Sequence, residues 1–164
     1  MFRICIVGLF VICLFNSCSK DSDLNNTCSI SGYDACAIKA PAAEIQAVKD
    51  YLAANSLTAL EHCSGVSYII DAPGSGATAN PCSTVTVKYE GKLTNGTIFD
   101  SNNTGVSFLL GQLIKGWVAG IPLIKPGGSI RLFIPPSLGY GSSAYGSIPG
   151  NSILIFRVDL VAVQ

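Results

Sequence analysis

The chain has 164 residues, ten basic side chains against ten acidic ones, and only 12% charged residues. That length holds one domain of ordinary size with a short appendage. A formal charge of zero and no basic stripe exclude nucleic acid as an expected partner.

The N-terminus explains part of the positive mean hydropathy. Met1-Phe-Arg3 leads into an uncharged apolar run over 4–15. The run is too short to span a bilayer as a helix and suits the hydrophobic part of a signal peptide. Phe15-Asn-Ser-Cys18 resembles the lipobox of bacterial lipoproteins, with Phe15 where Leu is preferred. The resemblance implies a signal peptide over 1–17 and a lipid on Cys18. Ser19-Lys-Asp-Ser-Asp23 is similar to the export signal of Bacteroidota surface lipoproteins. A place in the cell envelope is therefore expected, anchored to the outer membrane on its periplasmic or surface side.

Of seven cysteines, Cys5 and Cys13 leave with the signal and Cys18 carries lipid. Cys28, Cys36, Cys63 and Cys82 remain, an even number in an exported chain, which implies two disulfides. Three connectivities are open. The favoured one joins Cys28 to Cys36 as a local loop and Cys63 to Cys82 ahead of two strands. No His/Cys group has metal-ligand spacing, so neither a metal nor a cofactor is expected. The sole histidine, His62, reads as a surface residue.

Residues 18–40 are polar and read as a tether, partly stapled by its own disulfide. Residues 41–62 read as an accessory helix with a connector. Pro41 opens the helix, and Ile45, Val48 and Leu52 recur at helical spacing on one side. Asn55 can end it in a left-handed conformation. What that apolar stripe packs on is left open.

The main domain spans 63–164. From Ser64 the apolar period changes to two, with Val66, Tyr68 and Ile70 alternating with Ser67, Ile69 and Asp71. Thr84–Tyr89 alternates cleanly. Asn95-Gly96 signals a hairpin between Lys92-Leu93 and Ile98-Phe99. An apolar strand over 106–110 gives way to a loop and the turn of helix that follows Trp117. Gly111 and Gly116 flank this single tryptophan, so its indole can lie as the floor of a concavity or simply fill core. Lys125-Pro-Gly-Gly128 is a turn. Ser129–Ile134 is a strand closed by Pro135-Pro136, and residues 153–163 alternate as a long final strand. Five antiparallel strands with one short helix make an α+β domain.

Seven segments then stand in a fixed order: Val87-Lys-Tyr-Glu-Gly91, Phe99-Asp-Ser101, Phe108-Leu-Leu-Gly111, Leu113-Ile-Lys-Gly-Trp117, Ile134-Pro-Pro-Ser-Leu-Gly-Tyr-Gly141, Ile148-Pro149 and Leu154-Ile-Phe156. In order and spacing they resemble the FKBP-type peptidyl-prolyl isomerases over roughly residues 64 to 163. The resemblance implies a five-stranded antiparallel sheet wrapped round a short helix, here with an extra N-terminal helix. It implies that Trp117 is the floor of a proline pocket and that Tyr89, Phe99 and Phe156 are its aromatic walls. The Ile114 N–H would hold a peptide carbonyl, and the Tyr140 hydroxyl would reach across from its loop. Asp100 lies at the edge, where it either polarises the site or fixes Tyr89. Val106, Leu113 and Ile148 border the substrate. Val106 stands where other members carry an aromatic ring, which thins one wall. Gly141–Ser147 aligns loosely, and no role carries onto Tyr145. Proline-containing polypeptides are the implied partners. No oligomerisation signal is visible, so a monomer is expected. The alternative is a binding module for proline peptides or hydrophobic ligands without turnover.

Overall fold

The computed structural model describes residues 28–164; the expected signal peptide, the expected lipid site Cys18 and the first part of the expected tether lie outside the described residues. The elements run α1 (Ala42–Ala54), β1 (Leu60–Glu61), β2 (Ser67–Ala72), β3 (Thr84–Leu93), β4 (Ile98–Leu109), α2 (Lys115–Gly120), β5 (Ser129–Ile134) and β6 (Leu154–Val163). The strands form one antiparallel sheet in the order β1-β2-β5-β6-β3-β4. It has the expected five-strand body plus β1, a two-residue edge strand pairing Leu60 with Tyr68. The strand segments expected on either side of Asn95-Gly96, and the one over 106–110, belong to β3 and β4, two long strands joined by that hairpin.

Alternation gives the sheet two faces. Inward, Val85, Val87, Ile130, Leu132, Ile134, Leu154, Val158 and Leu160 are all buried beside α2. The glycines of α2 allow this approach. A Cβ on Gly116 would lie 2.5 Å from Ile134, and one on Gly120 would lie 2.5 Å from Leu132. Outward, Val48 and Leu52 of α1 pack on Phe133 and Ile155. The accessory helix therefore covers the back of its own sheet. Pro41 sits at its N-cap. Its end differs by one residue from expectation. Asn55 stays at φ −102° and its side-chain amide donates to the Tyr51 carbonyl at 2.8 Å, while Ser56 takes the left-handed turn at φ 54°.

The disulfides are Cys28–Cys82 and Cys36–Cys63, not the local pairing expected from the sequence. The cause is the path of the chain before α1. This strap runs over α2, where the Tyr33 hydroxyl donates to the Val118 carbonyl at 3.4 Å. Each of its cysteines thus meets one of the two that precede β2 and β3. Closing loops of 54 and 27 residues stabilises the fold by roughly 3–4 kcal/mol each in the chain-entropy model. His62, expected at the surface, is half-buried, with Nδ1 2.9 Å from the Ser64 hydroxyl; burial lowers its pKa. Cys36, His62 and Cys63 cluster within metal-ligand reach, but both sulfurs are spent in the disulfide.

Candidate active site

Trp117 occupies the first turn of α2 and is 4% exposed. Three rings stand nearly perpendicular to its indole: Phe156 at 5.2 Å, Tyr89 at 5.3 Å and Phe108 at 6.5 Å between centroids. Edge-to-face contact suits the charge distribution of aromatic rings. Each ring comes from a different strand, Tyr89 from β3, Phe108 from β4 and Phe156 from β6.

Phe99 enters through an irregularity. Gly91 pairs with Asp100 and Lys92 with Ile98, so Phe99 is an extra residue on β4. Such a bulge re-aims a side chain. Here it sets the Phe99 ring edge-on to Phe156 at 5.4 Å. The two rings meet above Gly91, where a Cβ would lie 2.6 Å from Phe156 and 2.7 Å from Phe99.

These elements enclose a cavity of about 170 Å³. Trp117 is its base, Tyr89, Phe108 and Phe156 are its walls, and Asp100, Leu113, Ile114 and Tyr140 form its mouth. A wider hollow of about 420 Å³ opens on the back of the sheet near Tyr51, Arg131 and Arg157. It sets the charged side chains of Glu90, Lys92, Arg131 and Arg157 beside the rings of Tyr51, Phe133 and Phe156 and has no buried indole at its base. The smaller aromatic cavity is the better candidate, because shape and a few placed polar groups define a ligand site more than size does.

The polar groups are few. The Tyr89 hydroxyl donates to Asp100 Oδ2 at 2.7 Å. Burial first, and then this bond to a carboxylate, push the Tyr89 pKa up to about 12. Asp100 thus fixes a wall of the cavity. The Tyr140 pKa is raised by burial, with Tyr145 and Asp100 adding to the effect. Ile114 caps α2. Its carbonyl accepts from the N–H groups of Trp117 and Val118, and its own N–H enters none of the hydrogen bonds among the described residues. The indole N–H is likewise without an acceptor among the described residues.

Tyr89, Asp100, Leu113, Ile114, Trp117, Tyr140 and Phe156 therefore come together as expected, with Phe99 behind Phe156. Two expectations shift. Val106 is half-buried against the core and does not line the cavity. Phe108, two residues on and so on the same face of β4, supplies the wall that seemed thin. The signal was present: Phe108 opens one of the quoted segments, and period two puts it beside Val106. Ile148, expected at the far rim, is 5% exposed and roots its loop in the core.

A concave aromatic cavity with tyrosine hydroxyls and one spare backbone N–H suits a change of conformation in a bound apolar group. Its lining holds no serine, cysteine or histidine to act as nucleophile or base.

Comparison with known proteins agrees with the geometry. The family model described as FKBP-type peptidyl-prolyl cis-trans isomerase matches residues 76–161. A probable FKBP-type peptidyl-prolyl cis-trans isomerase of Haemophilus influenzae is 48% identical over 105 residues, 62% of this chain and 44% of that protein. The FKBP-type peptidyl-prolyl cis-trans isomerase FkpA of Aeromonas hydrophila is 38% identical over 123 residues, 71% of this chain and 45% of that protein. The match spans less than half the length of these relatives. The crystal structure of FkpA from Escherichia coli superposes with a TM-score of 0.68 at 36% identity, covering 75% of this chain and 61% of that one. The crystal structure of AtFKBP13 gives a TM-score of 0.59 at 30% identity, covering 65% of this chain and 99% of that one.

Proposed function

This chain belongs to the FKBP-type peptidyl-prolyl cis-trans isomerases, and from that membership we propose that it accelerates rotation about X–Pro bonds in exported proteins. The observation that carries the reading is the cavity of about 170 Å³ in which three rings stand on Trp117. It is shaped for one small apolar ring.

Rotation about a peptide bond meets a barrier of about 18–20 kcal/mol, because amide resonance is lost on the way. No bond is cleaved, so the reaction needs no nucleophile and no metal. The twisted amide is less polar than either planar isomer. A cavity that binds the proline ring and excludes water therefore holds the twisted form better than the planar forms, which is the condition for catalysis. The Ile114 N–H is placed at the mouth to take a carbonyl flanking the proline. The Tyr140 hydroxyl is a second donor there. The first is fixed by the backbone ahead of α2 and the Tyr140 ring is held by its stack on Tyr145, so they need little reorganisation. Tyr89, held by Asp100, keeps one wall in place. The substrate class is proline-containing polypeptide. Unaided isomerisation takes tens to hundreds of seconds, slow enough to limit folding.

The site of action proposed here is the cell envelope, through a lipid on Cys18. The lipobox-like Phe15-Asn-Ser-Cys18 supports this, as do four cysteines forming two disulfides, which suit an oxidising compartment. A Cys18→Ser change should release the protein from the membrane fraction of expressing cells. Retention of that variant on membranes would remove the anchor from the proposal.

The catalytic proposal is tested by cis–trans exchange on a short Leu-Pro or Phe-Pro peptide with fragment 19–164, followed by magnetisation transfer. Acceleration that disappears in Phe156→Ala supports the enzyme. Peptide binding without acceleration would make the protein a recognition module on the same fold.

A further inference from the structure

Three of the nine large apolar side chains that stand exposed among the described residues fall on the strap: Ile30, Tyr33 and Ile38. The others are scattered over the strands or belong to the cavity mouth and its loop. Those on the strap stand together. The Tyr33 N–H donates to the Ile30 carbonyl at 3.0 Å in a tight turn. Tyr33 and Ile38 border one hollow of about 280 Å³ between the strap and α2, with Val118 and Leu138 also in its lining. The backbone here is held in place. Cys28–Cys82 and Cys36–Cys63 pin it, and the Ala40 N–H donates to the Ser64 carbonyl at 2.9 Å. An apolar patch fixed in solvent in this way marks a contact surface. Two cations flank it. Lys39 follows Ile38 and Lys115 lines the hollow, and neither forms an ion pair among the described residues. Asp34 is the single acidic residue on the strap, and its carboxylate accepts the Cys36 N–H at 2.8 Å.

We propose that the strap is a membrane-contact surface: Ile30, Tyr33 and Ile38 settle into the headgroup region of the bilayer, with Lys39 and Lys115 against anionic headgroups. The inference rests on the lipid-anchor reading of Cys18 and deepens it. Chain length says what covers the patch. Cys28 follows Cys18 by ten residues, a span of at most about 35 Å. The strap is therefore the part of the domain tied closest to the bilayer. At that range the contact is intramolecular, so a patch too small to hold a free protein on a membrane is enough to orient a tethered one. The active site stays clear of it. The hollow and the aromatic cavity share no lining residue. On α2, Lys115, Val118 and Ala119 make one side at helical spacing, and Trp117 projects from the other. A bilayer against the strap leaves the cavity mouth open, and the two disulfides make the strap move with the domain.

The test replaces the natural anchor. Residues 19–164, which include every described residue, are held on vesicles of phosphatidylethanolamine and phosphatidylglycerol by an N-terminal histidine tag and a nickel-chelating lipid. Ile38→Trp is the probe. Ile98→Trp is the control, because the Asn95-Gly96 hairpin lies at the opposite end of β3 from Cys82. The Trp117 signal common to both is subtracted. Brominated acyl chains should quench the Ile38→Trp variant and spare the Ile98→Trp variant. Adding Ile30→Asp to the probe should lower the ratio of contacting to free strap about threefold to tenfold. It should leave kcat/KM on a soluble Leu-Pro peptide within about twofold of wild type. Equal quenching of the two variants, or quenching of neither, would overturn the proposal. So would dimers in sedimentation that disappear in Ile30→Asp, which would assign the patch to a second copy of the chain. The anchor is decided separately, by the mass of the membrane-bound full chain. An unlipidated Cys18 would remove the natural tether, while quenching on the artificial one still decides the strap.

Discussion

The two faces of the sheet are made from alternate residues of the same strands, yet they are finished differently. On the back, Phe133 and Ile155 are buried against Val48 and Leu52 of α1, with Tyr51 and Leu57 packed beside them. On the front, Leu132, Val158 and Leu160 are just as enclosed, but the covering stops short of the rings of Tyr89, Phe99 and Phe108, which stay half-buried. The back uses most of its apolar surface for stability. The front leaves aromatic surface open round a buried indole, and this unfinished part of the core is the cavity.

If that division holds, equal losses of packing on the two faces should have unequal effects on activity. Trp117→Ala should do the most. It removes about 3–5 kcal/mol of stability, and it removes the cavity floor, so isomerisation of a Leu-Pro peptide should fall to the uncatalysed rate. Phe133→Ala should cost a similar 3–5 kcal/mol, read by urea denaturation. Its kcat/KM should stay within about twofold of wild type under folding conditions, because its ring packs with α1 on the face of the sheet away from the cavity. A parallel collapse of activity in Phe133→Ala would show that the faces are one mechanical unit.

The strap offers a third comparison. It lies over α2 on the side opposite the rings, pinned at Cys28–Cys82 and Cys36–Cys63. Replacing Cys36 and Cys63 together by Ser should lower stability by about 2–4 kcal/mol and leave peptide turnover nearly unchanged. A strong drop in kcat would mean that the strap sets the position of α2.

How well each region could be read from the sequence follows the same division. Strands with one face toward water show period two, so Thr84–Tyr89 and the segment before Gln164 were legible residue by residue. The site was legible too, because Trp117, the paired prolines and Tyr140 occur in a fixed order. Phe108 was misjudged although its strand was clear. Motif position pointed to Val106, whereas period two puts both residues on one face. Nothing local could show the disulfide pairing. It depends on how the strap crosses α2, and the strap has no periodicity. The stripe Ile45, Val48, Leu52 announced a buried side without saying what buries it. The offset from Asn55 to Ser56 lies below what residue propensity resolves.

A smaller effect concerns the wall held by Asp100. The Tyr89 pKa is raised in the folded protein to about 12 from an ordinary value near 10. The folded state therefore keeps its proton longer than the unfolded chain does. The resulting stability is fully present below pH 10 and is lost as pH rises through the folded value. Tyr33 and Tyr140 shift in the same direction, so Tyr89→Phe should make the fall in Tm over this range shallower without abolishing it. An unchanged slope would mean that burial and the Asp100 bond do not raise the Tyr89 pKa in solution.

The smallest predicted effect lies where the two regions touch. Glu44, in the first turn of α1, accepts the backbone N–H of Ser137 on Oε2 at 2.8 Å. Ser137 belongs to the 3₁₀ turn over Pro136–Leu138, two residues ahead of Tyr140 and the cavity mouth. The helix on the back of the sheet thus reaches round to steady a loop on the front. Glu44→Gln keeps an acceptor of the same shape and should cost well under 1 kcal/mol. Glu44→Ala removes the acceptor and should cost about 1 kcal/mol. Neither should change the rate on an Ala-Pro peptide by more than about twofold, because Tyr140 is also held by its stack on Tyr145. A loss in Glu44→Ala that exceeds the loss in Tyr145→Ala would reverse that order. The accessory helix, rather than the loop's own stack, would then fix the Tyr140 hydroxyl, and the back of the sheet would belong to the active site after all.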